Sequence, residues 1–330
     1  MKRLFVGYKA ADLRKDLLSG DCLCHTLDIY HAHAIETVWK VPVVATPHLP
    51  EGPWDEIFFK TGPNLMSGEL SLDLLQEISI LLKGNLHAPR FHLDFVGKER
   101  DRNDLLNKVK DDPTRVRDFS ATWPASVPGG PKILFTSFPG CFCHRRLDEG
   151  GLALAEVVCR DLAKSADGAL KILDMGCGCG LVGDLIATFL RPRPCSLTLV
   201  DSHTRAIEAA TVNAKALGLD EATTLLLSDN GTPKETDGTF DVFVGNPPYY
   251  SDYRIADVFL ETARRALKPD GVCYSVCKNA AGLEPVQKRF FQTVEIIPRR
   301  GYSVLKSVRE MGPRSHGADG SKAGSFGIRR

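Results

Sequence analysis

At 330 residues the chain is long enough for two domains of ordinary size. Its 43% hydrophobic and 25% charged residues exclude a wholly disordered or collagen-like polymer. Forty-two Lys plus Arg against 41 Asp plus Glu leave a formal net charge of +1, so no global field marks a nucleic-acid binder. The charge divides mildly: 16 basic and 18 acidic side chains over 1–130, then 26 and 23 over 131–330. A polyanionic partner would have to be held by local patches.

In chain order, MKRLFVGYKAAD opens with basic residues but has no apolar h-region behind it, and no run of 18 apolar residues follows anywhere. The expectation is a soluble, unexported chain with no membrane partner. Ten cysteines are too sparse for a disulfide scaffold, which favours a reducing cytoplasm. The stretch DCLCHTLDIYHAH, with Cys22, Cys24, His25, His31 and His33, is rich in ligand types but matches no common zinc spacing. No metal is expected. EIFFK (56–60) and FHLDFV (91–96) read as strands, and 70–83 has apolar residues at helical spacing. That pattern is α/β without a Gly-rich turn. ASVPGGPK (125–132) clusters Pro and Gly between two periodic regions and is taken as the domain boundary, giving domains over 1–126 and 131–310. Downstream, KILD, SLTLVD, TLLLSD, FDVFVGN and GVCYSVC alternate with helix-like 204–217 and 256–267, the pattern of a parallel sheet covered on both faces. Residues 311–330 are Gly, Ser and basic residues without apolar periodicity, expected to be a disordered basic tail. No repeat of short period is evident.

Residues 171–183, KILDMGCGCGLVG, are a strand ending in Asp174, a turn with Gly176, Gly178 and Gly180, and the start of a helix. Glycines there permit positive φ and close approach of a ligand, at the strand end where open α/β sheets bind. Twenty-one residues beyond Gly180 the next strand ends in Asp201, suited to a pair of ribose hydroxyls. The third strand ends at Asp229 and Asn230, either able to meet an adenine amino group. GCGLVG (178–183) also fits G-x-G-x-x-G, the dinucleotide fingerprint. Asp174, however, would repel a pyrophosphate and suit the ammonium of a methionine moiety. S-adenosylmethionine is therefore favoured over NAD, and an NAD-dependent oxidoreductase is the remote alternative.

The fourth strand runs into Asn246-Pro247-Pro248-Tyr249. Two prolines stiffen the strand end. A planar amine can donate one proton to the Asn246 side-chain oxygen and another to the Pro247 carbonyl, with Tyr249 stacked on its ring. Positioning supplies most of what methyl transfer from a sulfonium needs.

On this spacing LDMGCGCGLVG, LVD and NPPYY resemble class I S-adenosylmethionine-dependent methyltransferases acting on planar nitrogens. FPGCFCHRRLDEGGLALAE (138–156) and GYSVLKSV (301–308) narrow the resemblance to the ribosomal RNA guanine-N2 methyltransferases. It implies a Rossmann-like domain with a mixed seven-stranded sheet, preceded by a degenerate methyltransferase-like α/β domain without a working cofactor loop. The implied partner is ribosomal RNA or a ribosomal subunit, met by a monomer. Adenine-N6 or protein-glutamine methylation is the alternative within the same chemistry. By analogy Phe142 and Tyr249 line the target pocket, and Arg145 and Arg146, which follow Phe142, are candidates for RNA phosphate. The chain departs from the family with Cys143 after Phe142, Gly151 in place of a common Thr, and Tyr249-Tyr250 in place of Phe-His.

Overall fold

The computed structural model describes residues 1–18, 20–84, 89–110, 117–165, 168–248 and 254–310. The short apolar runs of the first hundred residues build one sheet from β1 (Lys2–Val6), β2 (Asp21–Thr26), β3 (Val43–Ala45), β4 (Glu56–Thr61) and β5 (Arg90–Phe95). All pairings are parallel, in the order β3-β2-β1-β4-β5. Alternation on β1 sends Leu4 and Val6 to one face and Phe5 to the other. Helices α2 (Gly68–Gly84) and α3 (Glu99–Lys110) cover the first face, and α1 (Ile29–Trp39) covers the second. The ligand-rich stretch 21–33 is therefore β2 and the start of α1. Cys22 and Cys24 share one buried face, His25 Nε2 donates to the Thr46 carbonyl (2.9 Å), and His33 Nδ1 meets Asp229.

Strands β6 (Ala121–Ala125) and β7 (Ile133–Ser137) form an antiparallel hairpin, with Trp123 opposite Phe135. The Pro/Gly stretch expected to separate domains is the turn of this hairpin, with Gly129 at φ +82°. Trp123, Ala125 and Val127 are buried in the same apolar cluster as the helices that follow. Pro and Gly mark a reversal of the chain, and a reversal serves a hairpin as readily as a linker.

The remaining strands, β8 (Leu170–Met175), β9 (Cys195–Asp201), β10 (Thr223–Leu227), β11 (Phe240–Gly245), β12 (Leu267–Cys277), β13 (Glu295–Arg299) and β14 (Tyr302–Val308), form a seven-stranded sheet. Its order is β10-β9-β8-β11-β12-β14-β13; the first four pairings are parallel and the last two antiparallel, so that β14 alone runs against the rest. This is the mixed sheet that the resemblance implies. Helices α4 (Glu149–Leu162), α5 (Leu181–Phe189) and α6 (Thr204–Ala216) pack on one face, α7 (Arg254–Ala266) and α8 (Ala280–Lys288) on the other. The basic tail, 311–330, lies outside the described residues.

The first sheet repeats the order of the five parallel-paired strands of the second: a central strand, two more on one side, two on the other. Gly7 (φ +76°) follows β1 as Gly176 follows β8. There the likeness ends, because Tyr8 is buried behind Gly7 and Lys60, on β4, is paired with Asp12 (3.0 Å) and Asp94 (3.5 Å). Tyr8 and the ion-paired Lys60 thus stand at the strand ends where the second sheet presents its glycine loop.

Candidate active site

Asp174 lies on β8, 2% exposed, and its Oδ2 accepts the Gly183 N–H at 2.9 Å across the loop. Between them Gly176, Gly178 and Gly180 have φ of +70°, +55° and +87°. Each is glycine for its own reason. A Cβ on Gly176 would stand 2.8 Å from the Phe259 ring, and one on Gly180 2.8 Å from Asp184 Oδ2. A Cβ on Gly178 would meet nothing within 4 Å, so the loop presents open backbone there. Val200 holds the loop from β9, its carbonyl accepting from Gly176 (2.8 Å) and Cys177 (3.0 Å). Cys177 and Cys179 are buried, and burial pushes both thiols up, so neither is a ready thiolate.

The three predicted strand ends meet. Asp201 is one residue past Val200, which pairs with Met175, and Leu227 pairs with Asp201. Asp201 Oδ2 accepts the Gly178 N–H and Oδ1 the His203 N–H, both at 2.9 Å. The carboxylate is thereby locked beside the loop, each oxygen keeping a second lone pair. Asp229 is engaged by the first domain: its Oδ2 lies 3.0 Å from Nδ1 of His33 on α1. Asn230 is exposed, its Oδ1 accepting from the Ser228 hydroxyl at 3.0 Å.

The charge around the loop is one-sided. Asp148, Asp174, Asp184 and Asp201 surround it, and among the described residues none of the four forms a salt bridge with Lys or Arg. Burial pushes the Asp174 carboxyl up to about 7; the Gly183 N–H opposes this, and Asp201 and Asp148 add to it. Asp184 is fully buried, neither oxygen has a hydrogen-bond partner among the described residues, and burial raises its carboxyl well above the ordinary range. Asp201 is raised too, chiefly by burial. His203 adds no compensating cation, because burial lowers its imidazole to about 4. Sequence reasoning missed Asp148 and Asp184.

Asn246 leaves β11 directly after Gly245, which pairs with Met175, so the reaction motif and the cofactor loop start from adjacent strands at one level. Pro247 is buried and Pro248 half-buried. Asn246 Nδ2 donates to Asp148 Oδ2 at 2.9 Å. Tyr249 and Tyr250 lie outside the described residues. Phe142 is 67% exposed, an apolar ring standing in solvent. Arg145 is engaged within the chain, donating to Glu69 Oε2 on α2 (2.7 Å) and to the Phe119 carbonyl (3.2 Å).

A seven-stranded sheet of this order, with a glycine loop after its first strand and Asn-Pro-Pro after its fourth, defines the class I methyltransferase fold. Residues 132–306, more than half of the chain, match the methyltransferase small domain family, and the chain belongs to that family. It is 30% identical over 215 residues to the ribosomal RNA small subunit methyltransferase C of Marinomonas sp. (strain MWYL1), covering 62% of this chain and 59% of that protein. To the ribosomal RNA large subunit methyltransferase G of Pseudomonas paraeruginosa it is 32% identical over 170 residues, covering 50% and 43%. The chain thus spans about half the length of the curated relatives it matches. In fold it is similar to a T. thermophilus 16S rRNA N2 methyltransferase solved with AdoMet and guanosine, with a TM-score of 0.73 at 16% identity over 94% of this chain and 88% of that one.

Proposed function

We propose that this chain methylates the exocyclic N2 of a guanine in ribosomal RNA, using S-adenosylmethionine. The observation that carries the reading is the unpaired acidic cluster around an open glycine loop. Two cationic centres, a sulfonium and an ammonium, compensate such a cluster, whereas a dinucleotide pyrophosphate would be repelled by it. Asp174 and the loop glycines would hold the methionine end and Asp201 the ribose, while Asp229 or Asn230 faces the adenine. Bound there, S-adenosylmethionine supplies a methyl group on a positively charged sulfur. The Asn246 side-chain oxygen and the Pro247 carbonyl accept hydrogen bonds from the two N–H groups of the incoming amine, which aims its lone pair at that methyl, and the methylated nitrogen then sheds one proton to solvent. Phe142 and Tyr249 supply stacking surface for a base taken out of its helix. The choice of ribosomal RNA over a protein amide is supported by the names of the relatives and of the structural neighbour.

In this reading the catalytic domain over 131–310 is extended upstream to β6 by its shared core. The domain over 1–126, with Tyr8 and Lys60 at its strand ends, supports the cofactor loop and binds no cofactor itself. The setting is a monomer acting on ribosomal RNA or a ribosomal subunit in the cytoplasm. Among the described residues no helix is long and apolar enough to cross a membrane. Calorimetry separates the cofactors: S-adenosylhomocysteine binds and NADH does not. NADH binding without the homocysteine analogue would sink the reading.

A further inference from the structure

The turn that starts α4 reaches into the reaction site from outside both the glycine loop and the Asn-Pro-Pro motif. Asp148 is the N-cap of α4, and its Oδ1 accepts the Gly150 N–H at 3.0 Å. Its other oxygen accepts a hydrogen bond from Nδ2 of Asn246, 98 residues further along. Gly151 leaves room for the crossing. A Cβ on Gly151 would stand 2.6 Å from Asp148 Oδ2, and one on Gly150 would lie 3.4 Å from Asn246 Nδ2. A side chain at 151 would require this carboxylate oxygen to shift.

We infer that Asp148 is a positioning residue that sets which end of the Asn246 amide faces the acceptor amine. A carboxylate only accepts hydrogen bonds, so the end of the amide turned toward it must be the NH₂. The oxygen is then turned to the opposite side, the end required to accept a hydrogen bond from the amine N–H. Turned over, the amide would set its own NH₂ against the amine N–H. The inference rests on the proposed role of Asn246, and it adds a partner that the strand-end motif alone does not contain.

Asp148→Asn isolates the contact. Asn is as good an N-cap as Asp, so its oxygen still serves the Gly150 N–H. Its NH₂ then faces the NH₂ of Asn246, and one amide or the other must turn. The expected result is a fall in kcat of about tenfold to a hundredfold. KM for RNA should move less than about twofold, because no RNA contact is assigned to Asp148, whereas affinity for S-adenosylhomocysteine should fall modestly, since Asp148 is one of the acids around the loop. In an Asn246→Ala background the same substitution should cause no further loss. An unchanged kcat, or an equal loss in both backgrounds, overturns the inference. The side-chain amide resonances of Asn246, assigned by their disappearance in Asn246→Ala, give a readout independent of turnover. They should shift in Asp148→Asn, and unmoved resonances would also overturn it. If wild-type protein methylates no guanine N2, the reading of the reaction fails, and the amide resonances still decide whether Asp148 sets Asn246.

Discussion

Asp174 shows what a single buried carboxyl contributes. It is held at about 7 because burial and its acidic neighbours outweigh one backbone N–H. A carboxyl raised in the folded state binds its proton more tightly there than in the unfolded chain. The stabilisation is full at acid pH and is lost as pH rises from the ordinary carboxyl range through about 7. Binding a cation reverses the preference, since an opposite charge favours the carboxylate. Affinity for S-adenosylhomocysteine, which carries the ammonium, is therefore predicted to rise from pH 6 to pH 8 with release of a proton. Calorimetry in buffers of different ionisation enthalpy measures that release, and none at pH 6 would contradict the assignment. Asp174 and Asp201 are legible in the sequence because each ends an apolar strand-like run. Asp148 is not, since its partner is distant along the chain, and Asp184 looks like an ordinary acid in the first turn of a helix. Arg145 reads as free for RNA only until the fold brings Glu69 beside it.

Among the elements, the loops that follow β2 and β9 join the two sheets. Asp28 and His203 form a β-bridge, the Ile29 N–H donates to the Ser202 carbonyl (3.0 Å) and the Thr204 N–H to the Leu27 carbonyl (2.7 Å). These are equivalent strand ends of two sheets whose parallel-paired strands share one order, so the halves of the molecule meet through corresponding loops. Arg205, at the start of α6 and 2% exposed, fastens the joint by pairing with Asp73 and with Glu77 (3.1 Å) on α2 and by donating to the Pro47 carbonyl (3.1 Å). Removing one partner of a buried ionic cluster costs about 3 kcal/mol, because the others are left uncompensated. Arg205→Ala is thus expected to lower the melting temperature by several degrees and to weaken S-adenosylhomocysteine binding, since the helix start it anchors follows Asp201. An unchanged melt would show that the joint contributes nothing. Helix α4 was not legible as a helix: from Gly150 to Cys159 every residue is buried, so no polar face marks its period. Strands β4, β5, β8 to β12 and helices α2, α6 and α7 were legible because each keeps either a compact apolar run or a polar face.

At the scale of the molecule, the doubled sheet order leaves no mark as a sequence repeat. Strand order is set by which apolar runs pair, and many different runs satisfy it. What separates the halves is chemical: an open loop ringed by acids in one, Tyr8 and the ion-paired Lys60 in the other. The near balance of 42 basic and 41 acidic side chains is compatible with the proposed reading, in which one base is held in a pocket by local contacts rather than by an overall field. The most direct test is mass spectrometry of nucleosides from ribosomal RNA of cells lacking the gene. One N2-methylguanosine should be lost, restored by the wild-type chain and not by Asn246→Ala. An unchanged level of N2-methylguanosine in the deletion would contradict the account.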